Sequence, residues 1–451
     1  MKKIFIIIIV LLLTFSFFDL KAQDEFDKNK LDDYFSQLEK NNKAMCGVVI
    51  RKGGKLVYEN YIGFSSLEDK IPYSNLTKFR IGSITKVFTA TIIFQLIEEG
   101  KLTLETKLSE FYPSIPNAEK ITISDMLGHR SGIHDFTRDE EYSQYMTSKK
   151  SREEMLELIF NLKSDFKPDE KTEYSNTNYV LLGYIIEKIT NSTYQQELKS
   201  RITNKLNLTN TYYGGKIDTK MNEAASYRFQ EGKWLLESET DMSIPHGAGA
   251  IVSNPRDLTI FITALFNNKL VSGNSLNQMK ETDDHFGKGL MQFYWGDEII
   301  YGYNGGIDGF VSNVEYHPSE NVAVSVTSNG MNYSFNDIYI GILSIYFNLP
   351  FEIPDLEAKA IKMEVEDLKK YEGEFSSKLL PLKITLKVEN GQLYGQATGQ
   401  SAFPLTPFSE IEFRFEQAGI IIEFTKDDEG NVECHSFILK QSGHEFPYER
   451  E

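Results

Sequence analysis

The chain carries a tight antiparallel hairpin near its start and an antiparallel pair some 250 residues later, with helical periodicity between them. The apolar run 47–50 and the alternating run 55–61 flank Lys52-Gly53-Gly54, whose glycines supply the positive φ that a tight hairpin needs. Strand patterns return at 313–316 and 321–327 around the turn His317-Pro318-Ser319-Glu320. A chain that opens and closes its main region with such strands and places helices between them is α+β, not a doubly wound parallel sheet. The expected architecture is an antiparallel sheet flanked by helices.

Helical spacing appears first at 26–43, where Leu31, Tyr34, Phe35 and Leu38 recur among charges. It returns at 83–99, with Val87, Ala90, Ile93, Phe94 and Ile97 in step and Gly100 as the stop. Shorter helices are expected at 124–127, 151–162, 178–190 and 255–265, the last with Asn254 as N-cap and Pro255 in its first turn. Residues 353–366, rich in Lys and Glu, read as a linker. Beyond them, short strands at 382–388, 393–397, 411–415, 420–424 and 432–439 alternate with the turns Asn390-Gly391 and Asp428-Glu429-Gly430. The expected division is a segment 1–22, a main domain 23–352, the linker, and an antiparallel β-barrel-like domain 367–451.

Residues 1–22 combine Lys2-Lys3, an apolar run over 4–18 and Leu20-Lys21-Ala22 before Gln23. This is the composition of a cleaved export signal, with an N-terminal membrane anchor as the competing reading. Export places the protein in a periplasm or outside the cell, and no second span follows. The formal charge is −17, and loss of three lysines and one aspartate with the signal makes it −19. With no local basic patch, such a balance excludes a nucleic-acid partner. Cys46 and Cys434, the only two cysteines, are expected to be free and packed.

The chain has no Gly-x-Ser-x-Gly elbow, no phosphate loop and no His-Glu-x-x-His zinc helix, so neither a metal nor a cofactor is expected. Gly82-Ser83-Ile84-Thr85-Lys86 instead puts a serine and a lysine three residues apart on one helix face. A lysine among Ile81, Val87 and Phe88 has its ammonium form disfavoured by desolvation and can accept the serine proton. Spacing alone is weak, because Ser164-Asp165-Phe166-Lys167 matches it in a polar segment before Pro168. A second element is Tyr174-Ser175-Asn176, where a phenol can relay protons and an amide can orient a lysine and a carbonyl. Tyr-x-Asn also occurs at Tyr58, Tyr73 and Tyr346, so this pattern too needs its surroundings.

In order and context, these stretches resemble the serine β-lactamase-related hydrolases, a family with class C β-lactamases, D-Ala-D-Ala carboxypeptidases, D-aminopeptidases and esterases. The resemblance covers roughly 40–345, including 79–86, the loop 121–133, Tyr174 to Gly183, 247–258 and 301–310. The tail is similar to the lipocalin-like β domain often appended to such enzymes. The resemblance implies a β-lactamase/transpeptidase-like fold with a helical subdomain, Ser83 as acylated nucleophile, Lys86 as its base partner, Tyr174 as proton relay and Asn176 as orienter. It also implies an oxyanion hole from the backbone N–H groups of Ser83 and Gly306, each donor contributing roughly 3 to 4 kcal/mol in other hydrolases.

One position departs from the family pattern. Its third motif is Lys or His, any residue, then Gly, whereas this chain offers Tyr303-Asn304-Gly305 or, in competition, His285-Phe286-Gly287. With Tyr303 there, a neutral phenol replaces a cation and grip on a substrate carboxylate weakens. That favours an ester or a D-amino-acid peptide over a β-lactam as the small-molecule or peptide substrate. The competing reading is a catalytically impaired, penicillin-binding-protein-like module that holds cell-wall peptide or a protein partner.

Overall fold

The computed structural model describes residues 26–230, 232–282, 284–427, 429–441 and 444–451. The export signal expected at 1–22 lies outside the described residues. Six antiparallel strands form the main sheet in the order Met291–Trp295, Glu298–Ile307, Phe310–His317, Val322–Met331, Ala44–Lys52, Lys55–Ile62. The early hairpin thus pairs with the last strand, Val48 opposite Val326, and the two ends of the domain meet inside one sheet. Helices Lys28–Lys40 and Phe335–Tyr346 cover one face, burying Leu31, Phe35, Ile338 and Ile342 against Val48, Val324 and Val326. Helix Pro255–Phe266 covers the other, capped by Asn254, whose side chain accepts the Asp257 N–H at 2.9 Å.

The central helix Thr85–Glu98 is buried from Thr85 to Leu96 on every side, as expected of a helix enclosed by its domain. Phe88 stacks on Phe261 at 3.7 Å between centroids, joining this helix to the sheet-covering one. The sequence puts Ser83 in the first α-turn; it stands instead in a single 3₁₀ turn, Gly82–Ile84, just before the helix. The cause is local. Gly82 has φ +50, outside helical space, and Arg80 ahead of it is held in a strand opposite Val252. Helix Asn176–Thr190 starts two residues before the expected 178, so Asn176 is its first residue rather than part of a loop.

Eight strands from Gly373–Ser376 to His444–Arg450 form a closed barrel, sealed where Phe375 pairs with Arg450. Five were expected. The other three are Gly373–Ser376, Phe403–Pro407 and His444–Arg450; prolines or short length weaken their pattern, and closure supplies the missing partners. Tyr371, Phe375, Phe413, Phe424, Phe437 and Tyr448 pack its interior. Within the expected linker 353–366, Leu356 is buried and the Ile361 N–H donates to the Pro407 carbonyl at 2.9 Å. The barrel docks through Lys43, which meets Glu416 at 2.8 Å with its own side chain almost wholly buried. Cys46 and Cys434 are free, and among the described residues no helix is long and apolar enough to cross a membrane.

Candidate active site

Ser83 sits where the helical region meets the open edge of the sheet. Strand Met291–Trp295 covers the neighbouring strand only as far as Gly302, leaving the edge from Tyr303 onward free. The 81–82 backbone rests directly on that edge. A Cβ on Gly82 would stand 2.8 Å from both N and O of Gly306, and one on Gly305 would stand 2.0 Å from the Ile81 carbonyl oxygen. Ser312 Oγ donates to that same Ile81 oxygen at 3.0 Å, fixing the approach. Glycine at these positions lets the two backbones touch, and it turns the Gly306 amide edge toward the serine segment.

Lys86 is wholly buried, and its Nζ lies 3.0 Å from Ser83 Oγ, 2.8 Å from Asn176 Oδ1 and 2.9 Å from the Ala248 carbonyl oxygen. Burial lowers its pKa to about 7, against the opposing pull of Asp135. Two of its three partners are carbonyl oxygens, which only accept. A neutral amine has two N–H donors and one lone pair, so the lone pair is left facing Ser83, the one partner able to donate.

The orientation of Asn176 is enforced from behind. Its Nδ2 donates to Asp135 Oδ2 at 3.0 Å, and the other carboxylate oxygen accepts from Thr137 N and Oγ1 at 3.1 and 2.9 Å. A carboxylate cannot donate, so the amide nitrogen faces Asp135 and the amide oxygen faces Lys86. Tyr174 Oη lies 2.6 Å from Ser83 Oγ and 3.3 Å from Asn176 Oδ1. Burial raises the Tyr174 pKa, and hydrogen bonding with Ser83 and Tyr303 opposes that rise. The phenol is therefore neutral, with one proton to give and lone pairs to accept another.

Tyr303 is 2 % exposed, and its hydroxyl lies 3.3 Å from His129 Nε2. The other ring nitrogen of His129 accepts the Ser175 N–H at 3.2 Å, which puts the proton of the neutral ring on Nε2. Burial first, and Lys86 second, hold the His129 pKa well below the usual imidazole range. His129 also lies 4.6 Å from the Tyr174 ring. His285, the competing third-motif residue, is exposed and meets Tyr294; its neighbour Phe286 reaches the site, 5.3 Å from His129 and 6.0 Å from Tyr174. Asn304 is exposed on the opposite strand face from Tyr303, across from Asn313.

The structure thus brings Ser83, Lys86, Tyr174, Asn176, Tyr303, Gly305 and Gly306 together and turns Asn304 away. Three groups escaped the sequence reading: His129, Asp135 and the Ala248 carbonyl. The first two lie in or just after the loop 121–133, where Gly128-His129 and His134-Asp135 gave a signal only as polar residues among apolar ones.

A helical region laid on the edge of an antiparallel sheet, with a buried lysine one helical turn past a serine at that junction, defines the β-lactamase/transpeptidase-like class of α+β folds. The chain belongs to the Beta-lactamase family, whose family-wide pattern matches residues 31–343. Penicillin-binding protein 4* of Bacillus subtilis (strain 168) is 25% identical over 446 residues, covering 93% of this chain and 97% of that protein. D-amino acid amidase from Ochrobactrum anthropi SV3, solved with D-phenylalanine, is 26% identical with a TM-score of 0.60, covering 67% of this chain and 92% of its own. The octameric penicillin-binding protein homologue from Pyrococcus abyssi shares the fold over 93% of this chain and 99% of its own, with TM-score 0.65 and 22% identity. The chain is thus of the β-lactamase-like serine hydrolase superfamily, which includes D-amino acid amidases and penicillin-binding protein homologues.

Proposed function

We propose that the protein is an exported serine hydrolase, periplasmic or secreted, that cleaves an ester or amide through an acyl-enzyme on Ser83. The carrying observation is the closure of the Lys86 environment, in which two obligate acceptors leave the amine lone pair to the Ser83 hydroxyl. In acylation Ser83 Oγ attacks the substrate carbonyl carbon and its proton passes to Lys86. The resulting oxyanion points at the backbone N–H groups of Ser83 and Gly306. Tyr174, 2.6 Å from Ser83 Oγ, passes a proton to the departing amine or alkoxide as the C–N or C–O bond breaks, and recovers one from Lys86. Water then attacks the ester, yields its proton to the same pair, and Ser83 leaves with its proton restored.

Tyr303 fills the third-motif position with a hydroxyl already engaged by His129, so no cation stands there for a substrate carboxylate. The reading therefore favours acyl groups without a carboxylate beside the scissile bond. The likeness to a D-amino acid amidase supports amides of D-configured residues within that class. Turnover of p-nitrophenyl esters, D-amino acid amides and a β-lactam by wild type and Ser83→Ala tests it. Hydrolysis of the first two by wild type alone is expected, and equal turnover in the variant would overturn it.

A further inference from the structure

A cavity of about 1000 Å³ lies between the barrel and the sheet face opposite Ser83, within the size range of small-molecule sites. Its wall is aromatic, with Trp295, Tyr333, Phe335 and Phe351, and the barrel closes it with Lys440 and Gln441. At its base lies Glu315, 4 % exposed, whose two oxygens accept from Asn313 Nδ2 at 2.9 Å and Tyr339 Oη at 2.7 Å. Both donors are neutral, and burial raises the Glu315 pKa to about 7. Asn313, which lines the same cavity, is 1 % exposed and its Oδ1 has no hydrogen-bond partner.

The balance of groups is one-sided. A second carboxyl, Asp337, borders the cavity close against Gly419 of the barrel, and burial raises its pKa to about 6. Lys440 Nζ is already paired, 2.5 Å from Glu423 and 3.7 Å from Glu445. His444, also on the barrel side of the cavity, is exposed, and among the described residues no cationic donor reaches Glu315 or Asn313 Oδ1 at the base. A buried carboxyl held by neutral donors, an unpaired amide oxygen beside it and aromatic faces around it match a primary ammonium on an apolar stem.

We propose that this cavity is a binding site for an organic ammonium group, whose N–H donors meet Glu315 and Asn313 Oδ1 and whose stem lies among Trp295, Tyr333 and Phe335. The site is separate from Ser83 and does not rest on the acyl-transfer reading. It borders the strand Glu298–Ile307 through Ile300 and Asn304, and Tyr303 of that strand points to the other face.

Trp295 makes the test direct, because the chain has only two tryptophans and the other, Trp234, packs against Phe229. The full chain is titrated with phenethylammonium, 2-phenylethanol and phenylacetate while tryptophan emission is followed. A saturable change is expected with the ammonium, about tenfold or more weaker with the alcohol and the carboxylate, as for a charge-assisted hydrogen bond. Trp295→Phe should lose the signal, and a folded Glu315→Gln should lose about tenfold or more in affinity by the same measure. Equal binding of all three probes, or no saturable change up to the solubility limit of the ammonium, overturns the proposal without recourse to a variant. Unchanged affinity in Glu315→Gln overturns it too. None of these outcomes depends on whether Ser83 reacts.

Discussion

His129 gives its single ring proton to Tyr303: Nε2 lies 3.3 Å from the hydroxyl while Nδ1 is committed to the Ser175 N–H. Tyr303 in turn favours the ionised form of Tyr174, so a chain of neutral dipoles runs to the group beside Ser83. Tyr303→Phe should lower kcat by about tenfold, the loss of one hydrogen bond to a charge-bearing group, with KM for a neutral ester nearly unchanged. It also strands the buried Nε2–H, at a cost of about 1–3 kcal/mol in stability. Steady-state kinetics and thermal unfolding of the variant check both, and a raised KM with intact kcat would instead assign Tyr303 to substrate binding.

The pH profile reports on Lys86. Its pKa in the folded protein is lowered to about 7 by burial, so the fraction able to accept the Ser83 proton rises as pH passes upward through 7. Acylation at limiting substrate should follow that limb, and Lys86→Met should lose about 10²–10⁴-fold and the limb with it. Stability linked to this group rises with pH between about 7 and the unfolded value of about 10.4, because only the unfolded chain stays protonated there. A flat acylation profile from pH 5 to 9 would count against Lys86 as base.

Gly82→Ala tests the contact between the serine turn and the sheet edge. Alanine at φ +50 costs about 1–2 kcal/mol in backbone strain, and its Cβ falls 2.8 Å from the Gly306 backbone. If Gly306 is the oxyanion donor proposed above, displacing it should lower kcat by about 10²–10³-fold, more than the stability loss explains. Kinetics at a temperature where the variant is fully folded separate the two effects.

Part of this site was legible in the sequence as candidates. Ser83 and Lys86 share one turn at a helix start, and Tyr174 and Asn176 flank another. Decoys at Ser164 and at Tyr58, Tyr73 and Tyr346 match the same spacings, so it was the order and context of the stretches that singled the pairs out. The groups that orient them could not be singled out in this way. Asp135 meets Asn176 across 41 residues and His129 meets Tyr303 across 174, contacts that only tertiary folding creates. The strand Glu298–Ile307 also escaped, because Gly302, Gly305 and Gly306 break its apolar alternation, the first two where a Cβ would stand 2.0 Å from a backbone oxygen. The serine's 3₁₀ turn was hidden for a related reason: apolar periodicity continues through it, and only the backbone of Gly82 departs from a helix.

Glu315→Gln has a second consequence, in stability. Burial raises the Glu315 pKa from 4.5 to about 7, so the folded state binds the extra proton between those values and stability falls as pH rises through them. Glutamine keeps the shape without the charge, and the Tyr339 hydroxyl can turn to accept from its amide. At pH 8 the variant should be more stable by up to about 3 kcal/mol, and at pH 4 by little or nothing. Denaturant midpoints at the two pH values decide it; equal midpoints at pH 8 would mean that the carboxyl is not strained by burial.

Acylation of Ser83 is the central claim, and intact-protein mass spectrometry addresses it most directly. Wild type mixed with a fluorophosphonate or a p-nitrophenyl ester should gain one acyl or phosphonyl mass, mapped to the peptide with Ser83, while Ser83→Ala gains none. A folded wild type that stays unmodified, or a label retained in Ser83→Ala, would contradict the account.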